Sequence, residues 1–362
     1  MADDFIPYFE PMVAICTTCK NAALTIGYSI DSVIKLNYPK EKIVYILVDS
    51  QSSDNTKEVS REILTQNNIR HIIINKKCSI SEGRNICSEV ANKFLINYVF
   101  FIDADVVILD PNLLKECLKL SMKNDKTVFF IDTEFKNFSN KENMEKFLQK
   151  IEYTKNQYKL KDVAWGATGL FFIKNDIFNK IKFQEDMNFF EDRYFGYQLR
   201  SCGYKLNFIT SKNPLAYDIN IKKYSDIYIK MPIIEYLRAI NKKTFALAYT
   251  NYDGNALRSS ISFLKSLEGK RTIFHTFYLS LILVGLFYYF LIEKTIGLII
   301  IFFGFAILVL WAFNMRFRRC RNLKETFSCV FKFSIFGIYT FFSVPFFLMI
   351  KKNTFKKIFS EN

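Results

Sequence analysis

Short apolar runs alternate with amphipathic segments over the first hundred residues, and this alternation constrains the fold more than any other feature. The apolar runs have the length of β-strands and lie at 12–17, 42–48, 70–75 and 98–102. The intervening segments carry apolar residues at helical spacing and lie at 22–36, 56–66 and 82–91. Strands that alternate with helices of this length predict an α/β fold with a mostly parallel sheet.

Polar residues follow each predicted strand. Thr18 follows the first strand, Asp49 the second and Arg84 the third, and Asp103 and Asp105 follow the fourth. Ligands of such sheets bind at the carboxyl ends of the strands, so we expect these residues to lie close together. No GxGxxG motif follows a strand and no P-loop lysine motif is present, which excludes a standard dinucleotide or P-loop site.

The pair Asp103 and Asp105 lies in the stretch FFIDADVVI. In an extended segment residues two apart share a face, so the two carboxylates repel one another. A hard divalent cation, Mg²⁺ or Mn²⁺, held by few protein groups together with substrate phosphates, would relieve this repulsion. The alternative is that one aspartate caps a turn and the other is solvated. The separate CxxC of Cys16 and Cys19 is a weak zinc or redox signal, since no second pair accompanies it.

The C-terminal part of the sequence contains three apolar segments, at about 273–292, 295–314 and 333–350. The first two have the length that crosses a bilayer, and the third is shorter. The arginine-rich stretch MRFRRCRNLK between the second and third segments orients the chain by the positive-inside rule, with the N-terminal region in the cytoplasm. The basic tail KKNTFKK conflicts with three full spans, so the third segment is transmembrane, re-entrant or interfacial.

The net charge of +15 also fits a membrane protein better than a nucleic-acid-binding protein. Much of the basic excess flanks the apolar segments, and no basic-aromatic RNA-binding motif occurs. The stretch MPIIEYLRAINKK is basic and amphipathic, which suits either the membrane interface or an ordinary surface helix. The acidic N-terminus lacks the apolar core of a signal peptide. We therefore expect a catalytic region at 1–215, connecting interfacial helices at 216–271 and a transmembrane region at 272–362.

Six short stretches, in this order, resemble the motifs of an inverting GT-A glycosyltransferase of family 2. They cover residues from about 12 to 210 and read TTCKNAALTIGYSIDSVI, LNYPKEKIVYILVDSQSSDNT, SEGRNICSEVA, FFIDADVV, GATGLFFIKNDIF and FFEDRYFGYQLRSCGYKL. The resemblance implies a GT-A fold, a nucleotide-diphosphate-sugar donor, and a metal bound at the DxD motif. Membrane segments are common in the family but carry no specific motif here.

The resemblance also implies roles for individual residues. Nucleotide-sugar binding falls to Thr18, Asp49, Arg84, Asp103 and Asp105, with Asp105 the direct metal ligand and Asp103 a further ligand that also contacts the ribose. Glu191 and Asp192 match the ED motif of the family, in which the aspartate is the general base. An aspartate that only caps the start of a helix would give the same sequence pattern. The sugar and acceptor pocket is implied at Trp165, Gly166 and Thr168, and simple packing is an equal alternative for Trp165.

Two departures from the family pattern leave the base of the nucleotide open between uridine and guanosine, namely Ser50 after Asp49 and Ala22 after the first-loop asparagine. Asp54 matches the pattern too but suits a cap of the following helix. The absence of QxxRW disfavours a processive polymerase. We expect transfer to a hydroxyl of a lipid-linked, polyprenyl-type acceptor; the alternatives are a polyprenyl-phosphate glycosyltransferase and a non-catalytic membrane scaffold.

Overall fold

The computed structural model describes most of the N-terminal part of the chain and several pieces of the C-terminal part. The described residues are 10–154, 156–163, 165–185, 191–220, 276–277, 280–287, 289–290, 292–318 and 331–332. The chain divides into two units, Met1–Ile221 and Lys222–Asn362.

The first unit opens with the predicted alternation of strands and helices. The strands are β1 (Val13–Cys19), β2 (Ile43–Asp49), β3 (Arg70–Asn75) and β4 (Tyr98–Ile102). The helices are α1 (Ile26–Ile34), α2 (Thr56–Gln66) and α3 (Ile80–Lys93), and a short 3₁₀ helix, Lys40–Lys42, precedes β2. Every residue of β2 is buried, as expected for a strand that has helices on both faces of its sheet.

The remaining elements follow in a less regular order. The strands are β5 (Val106–Ile108), β6 (Thr127–Ile131), β7 (Thr133–Asn137), β8 (Lys159–Asp162), β9 (Leu170–Lys174), β10 (Lys205–Thr210) and β11 (Ala216–Asn220). The helices are α4 (Leu113–Lys123), α5 (Lys141–Leu148), α6 (Asn175–Lys180) and α7 (Glu191–Ser201).

The main sheet has eight strands in the order β3-β2-β1-β4-β9-β6-β10-β8. The strands β3, β2, β1 and β4 run parallel, and β9 lies antiparallel between β4 and β6. The strand β10 is parallel to β6, and β8 closes the edge in the antiparallel sense. The sheet confirms the predicted α/β fold with a mostly parallel sheet.

Aromatic residues fill the core on one side of the sheet and fix the position of α7. The rings of Phe101 and Phe171 stack across β4 and β9 with centroids 4.5 Å apart. The ring of Phe195 on α7 stacks on Phe183 at 4.1 Å and meets Phe171 edge-on at 6.1 Å. Because Phe195 is fully buried, α7 is held against the centre of the sheet by its apolar face.

A second, three-stranded sheet has the order β5-β11-β7. Its strand β11 pairs antiparallel with β5, with Asp218 opposite Val106. The backbone N–H of Ile219 also donates to the carbonyl of Asp105 at 2.8 Å. This register brings Asp218, from the end of the first unit, beside the DAD segment.

In the second unit the structure describes a helix α8, Lys294–Arg318, which contains the second predicted apolar segment. The first segment, 273–292, is described only in part, and the third, 333–350, lies outside the described residues, as does the stretch 231–243. Among the residues that are described, no helix has the length and apolar character needed to cross a membrane.

Candidate active site

The loops that follow β1 and β2 are joined by hydrogen bonds. Asn21, with a positive φ of 54°, accepts from the backbone N–H of Ser53 at 2.8 Å. Asp54 accepts from the backbone N–H groups of Ala23 and Thr56, each at 3.2 Å. Asp54 therefore holds the start of α2, as its sequence context predicts, and also ties the first loop to the second.

Asp49 lies at the end of β2 and is fully buried. Its carboxylate accepts from the backbone N–H of Ser52 at 3.0 Å and from the Ser52 hydroxyl, and the thiol of Cys19 donates to it at 3.7 Å. In this structure Asp49 braces its own loop. The nucleotide contact implied for Asp49 by the family resemblance stays a prediction.

Thr18 lies at the end of β1, where the first turn of α3 approaches it closely. A Cβ at Gly83 would meet the Thr18 methyl group at 2.8 Å, so this approach requires glycine. The Thr18 hydroxyl oxygen is buried and has no hydrogen-bond partner among the described residues. A buried hydroxyl without a partner is uncommon, and the end of a parallel strand is where a ligand would supply one.

Arg84 on α3 connects three parts of the site. Its side chain is 2% exposed and donates to the Asp103 carboxylate at 3.2 Å, to the Glu191 carboxylate at 3.3 Å and to the carbonyl of Thr168 at 3.2 Å. The guanidinium also lies 5.2 Å from the centroid of the Phe183 ring. The DAD segment, the ED motif and the loop before β9 are therefore neighbours, as the family resemblance implies.

The DAD segment turns out of β4 and is fixed mainly through its backbone. The Asp103 N–H donates to the carbonyl of Gly169 at 2.8 Å, and the Ser29 hydroxyl donates to the Asp103 carbonyl at 3.2 Å. Burial raises the pKa of Asp103, while Arg84 acts in the opposite direction. The side chain of Asp103 is thus partly neutralised by an arginine that belongs to the protein itself.

Asp105 has a different environment. Burial, followed by repulsion from Asp103 and Asp218, raises its pKa to about 8. Burial and the charge of Asp103 raise the pKa of Asp218 to about 6. Sequence reasoning missed Asp218, although a carboxylate that interrupts the apolar run LAYDINI is the same kind of signal as the DAD segment.

The residues present fit a divalent cation that would take some of its ligands from the protein and the others from a substrate. Asp105 accepts no hydrogen bond from another side chain in the part of the chain that is described, and its pKa is raised first by burial and then by the nearby negative charges of Asp103 and Asp218. No group of three or more His, Cys, Asp or Glu side chains among the described residues is arranged to hold a metal by itself. A cation bound at Asp103 and Asp105 would therefore take its other ligands from phosphates and water.

The helix α7 begins at the ED motif. Asp192 accepts from the backbone N–H of Arg193 at 2.7 Å, which satisfies one donor of the helix start. Burial, followed by repulsion from Glu191, raises the pKa of Asp192 to about 6. A carboxylate with a pKa near neutrality is suited to accept a proton from a substrate.

The implied acceptor loop lies against the same helix turn. The guanidinium of Arg193 is 4.2 Å from the centroid of the Trp165 ring. A Cβ at Gly166 would be 2.1 Å from the Phe130 ring, so Gly166 allows the loop to pass over Phe130. Thr168 is buried and contributes its carbonyl to Arg84.

Asn85, next to Arg84, was not singled out by sequence reasoning. Its amide donates to the carbonyl of Phe183 at 2.9 Å and to the Glu185 carboxylate at 3.0 Å, and accepts from the Phe183 N–H at 3.0 Å. The consecutive residues Arg84 and Asn85 thus hold Glu191 and the segment 183–185, which leads towards α7.

Residues 14–182 match the model of the family described as glycosyl transferase family 2. Procollagen galactosyltransferase 1 of Danio rerio is 24% identical over 140 residues, which cover 33% of this chain and 22% of the relative. The match thus spans about a fifth of that relative's length.

Among solved structures, residues 1–349 of S. aureus TarS in complex with UDP-GlcNAc align with a TM-score of 0.50 and 13% identity, covering 96% of this chain and 90% of that one. A mannosyltransferase of Pyrobaculum calidifontis in complex with GDP-Man and Mn²⁺ aligns at a TM-score of 0.47 and 14% identity, covering 96% and 88%. The alignment with TarS shows a shared fold. Residues 14–182 are therefore similar to glycosyl transferase family 2, and the fold is a GT-A-like α/β fold with a mostly parallel central sheet.

Proposed function

We propose that this chain transfers a sugar from a nucleoside-diphosphate sugar to a hydroxyl group of an acceptor, with inversion at the anomeric carbon. The observation that carries the proposal is the position of Arg84, whose guanidinium contacts both Asp103 of the DAD segment and Glu191 of the ED motif. Two carboxylate motifs that lie 88 residues apart in sequence (103 against 191) thereby form one site, with Asp192 next to Glu191.

The donor end of this site consists of Thr18, Asp103 and Asp105. A divalent cation bound there would neutralise the diphosphate and so make it a better leaving group. The protein's own contribution is to bring the carboxylates of Asp103 and Asp105 close together across a turn. It also places at the end of β1 the Thr18 hydroxyl, which has no partner among the described residues. Asp49 braces the loop beside it.

The acceptor end consists of the first turn of α7. A hydroxyl is a weak nucleophile, and a carboxylate that removes its proton makes it stronger. In the step that we propose, the acceptor oxygen bonds to the anomeric carbon while the bond from that carbon to the diphosphate oxygen breaks. The electron pair of the broken bond leaves with the diphosphate, and the acceptor proton passes to Asp192. A single displacement of this kind inverts the anomeric carbon.

We further propose that the acceptor is attached to a lipid and that the catalytic domain faces the cytoplasm. The support comes from the sequence: apolar segments at 273–292 and 295–314, the arginine-rich stretch between the second and third segments, and the basic amphipathic stretch before the first. A polyprenyl-linked glycan would present its hydroxyl at the membrane surface, where an enzyme anchored by these segments could reach it.

The test is a transfer assay with the full chain and its Asp192→Asn variant. UDP-glucose, UDP-GlcNAc and GDP-mannose are supplied with Mn²⁺ or Mg²⁺, and polyprenyl-linked glycans and bare polyprenyl phosphate serve as acceptors. Asp192→Asn should bind the donor nucleotide as the wild type does but lose transfer by at least about 100-fold, the usual loss for a general base.

Asp176→Asn is the matched control, because Asp176 also lies at a helix start and accepts from the next N–H, at 2.8 Å, but does so on the exposed side of α6. This control should transfer normally. Full activity in Asp192→Asn would defeat the assignment of the base. If the chain transfers sugar to bare polyprenyl phosphate, and if Asp192→Asn does so at the wild-type rate, the chain would instead be a polyprenyl-phosphate glycosyltransferase.

A further inference from the structure

Arg84 is a deeply buried charged side chain of the site, and its described hydrogen bonds all go to groups of the protein, whereas the family resemblance implies a contact with the nucleotide. Its side chain is 2% exposed, and both terminal nitrogens already donate to groups of the protein. A residue that reads a nucleotide must present donors to the pocket. The three hydrogen bonds of the terminal nitrogens of Arg84 are directed instead at Asp103, Glu191 and the carbonyl of Thr168, while its buried Nε has no partner among the described residues.

We infer that Arg84 is a positioning residue, which fixes the first turn of α7 against the DAD segment so that Asp192 faces the donor site. The planar guanidinium can hold two carboxylates and a carbonyl at fixed angles, which an ammonium group on a flexible stem cannot do. The statement that Asp192 is the group being positioned rests on the proposed function. The placement of the α7 turn by Arg84 stands without it.

Three further contacts support a positioning role. The Phe183 ring lies 5.2 Å from the Arg84 guanidinium and stacks on Phe195 of α7 at 4.1 Å. The neighbouring Asn85 holds the backbone of Phe183 through both its N–H and its carbonyl. Arg84 thus contacts α7 at Glu191, and Asn85 hydrogen-bonds to the backbone of Phe183, which precedes α7 in the chain. The start of α7 and the residues before it are therefore held to α3 by two consecutive residues, Arg84 and Asn85.

Trp165 provides a direct measure of where the α7 turn lies. Its ring is 4.2 Å from the guanidinium of Arg193, in the first turn of α7. The chain has only one other tryptophan, at position 311, so Trp311→Phe leaves Trp165 as the sole tryptophan emitter. A movement of the α7 turn changes the contact between Arg193 and Trp165 and therefore the emission of Trp165.

The experiment uses the full chain with Trp311→Phe as background and adds Arg84→Met, Arg84→Lys, Glu191→Gln or Lys76→Met. Lys76→Met is the matched control, because Lys76 pairs with Glu82 in the first turn of α3 but on the exposed surface. We expect Arg84→Met and Glu191→Gln to shift the Trp165 emission, Arg84→Lys to shift it less, and Lys76→Met to leave it unchanged. The double variant Arg84→Met/Glu191→Gln should shift the emission no further than Arg84→Met alone, since the Arg84–Glu191 contact that Glu191→Gln breaks is already lost in Arg84→Met.

Binding and turnover complete the test. Arg84→Met should bind UDP or GDP, in the presence of Mn²⁺, within about threefold of the wild type, while kcat falls by about 100-fold, the effect of an ångström-scale misplacement. An unchanged Trp165 emission in both Arg84→Met and Glu191→Gln would overturn the inference. So would a loss of UDP or GDP affinity of more than about tenfold without an emission shift, since that result identifies a nucleotide contact. If Arg84→Met fails to fold, by circular dichroism, Glu191→Gln and Arg84→Lys decide the matter.

The two proposals fail separately. If none of the nucleotide sugars is used by the wild type, the proposed function fails, while the emission data still decide whether Arg84 positions α7. If transfer depends on Asp192 but the emission of Trp165 is the same in the Arg84 variants as in the Trp311→Phe background, only the positioning role fails.

Discussion

The pH dependence of transfer should report the buried position of Asp192. Burial and the charge of Glu191 raise the pKa of Asp192 from 3.8 to about 6. A general base acts in its ionised form, so the rate should rise with pH through this value and level off above it. For an aspartate with an ordinary pKa, the rising part, or limb, of the pH–rate curve would lie about two pH units lower, and the rate would not change at mildly acid pH.

The expected change in transfer rate with pH follows from the shift in the pKa of Asp192. With a pKa of about 6, roughly a tenth of Asp192 is ionised at about pH 5, so the rate at that pH should be about a tenth of the plateau near pH 8. With a pKa of 3.8, more than about nine tenths would be ionised at the same pH and the rate would barely change. The two cases differ by close to an order of magnitude.

The assay is the initial rate of release of UDP or GDP from the accepted donor, measured for the full chain from about pH 5 to 8.5. The divalent cation and the donor are kept saturating at each pH, because Asp105 also titrates and its protonation would weaken metal binding. Glu191→Gln removes the second cause of the raised pKa, so the normalised limb should move to lower pH. Asp176→Asn should leave the limb in place. A wild-type rate at pH 5 that exceeds half of the plateau would refute the reasoning.

Three further changes test the site and its support. Gly166→Ala would place a Cβ 2.1 Å from the Phe130 ring, and overpacking of this kind costs about 1–3 kcal/mol; the thermal midpoint should fall by several degrees, and an unchanged midpoint would show that the loop shifts freely. Asn85→Ala leaves the N–H and carbonyl of Phe183 without their partner, at about 1–3 kcal/mol for each buried group; its midpoint should therefore also fall, whereas a neutral effect would contradict the anchoring described above. Asp105→Asn should weaken Mn²⁺ binding by at least about tenfold, measured as free Mn²⁺ by electron paramagnetic resonance in the presence of UDP or GDP; equal binding would remove Asp105 from the metal site.

The first four strands were predictable because each is a short apolar run between segments of helical period. In a parallel sheet covered on both faces, burial alone determines such strands, and β2 is buried throughout. The positions of Thr18, Asp49, Asp103 and Asp105 at strand ends followed from the same pattern. For these elements, local sequence and general topology rules were sufficient.

The parts that escaped sequence reasoning depend on pairing between distant segments. The antiparallel insertion of β9 between β4 and β6 leaves no local signal in LFFIK. Asp218 reaches the DAD segment only through the register of β11 on β5. The protein groups that Arg84 contacts depend on where Glu191 and Thr168 come to lie, while its predicted contact with the nucleotide stays a prediction. Composition and spacing specify which residues can take part in a site, and tertiary pairing decides which atoms they meet.

The place of β9 in the sheet also sets an order of assembly. Strands β3, β2, β1 and β4 are all available once residue 102 has been synthesised, whereas β6 reaches the sheet through β9, which ends at Lys174. Pairings of long sequence separation form slowly, because a large loop must close before the contact is gained. The Asp103 N–H meets its acceptor, the carbonyl of Gly169, only when β9 pairs with β4. We therefore expect the backbone of the DAD segment to reach its final position only after β9 has paired with β4, in the step that joins the two halves of the sheet.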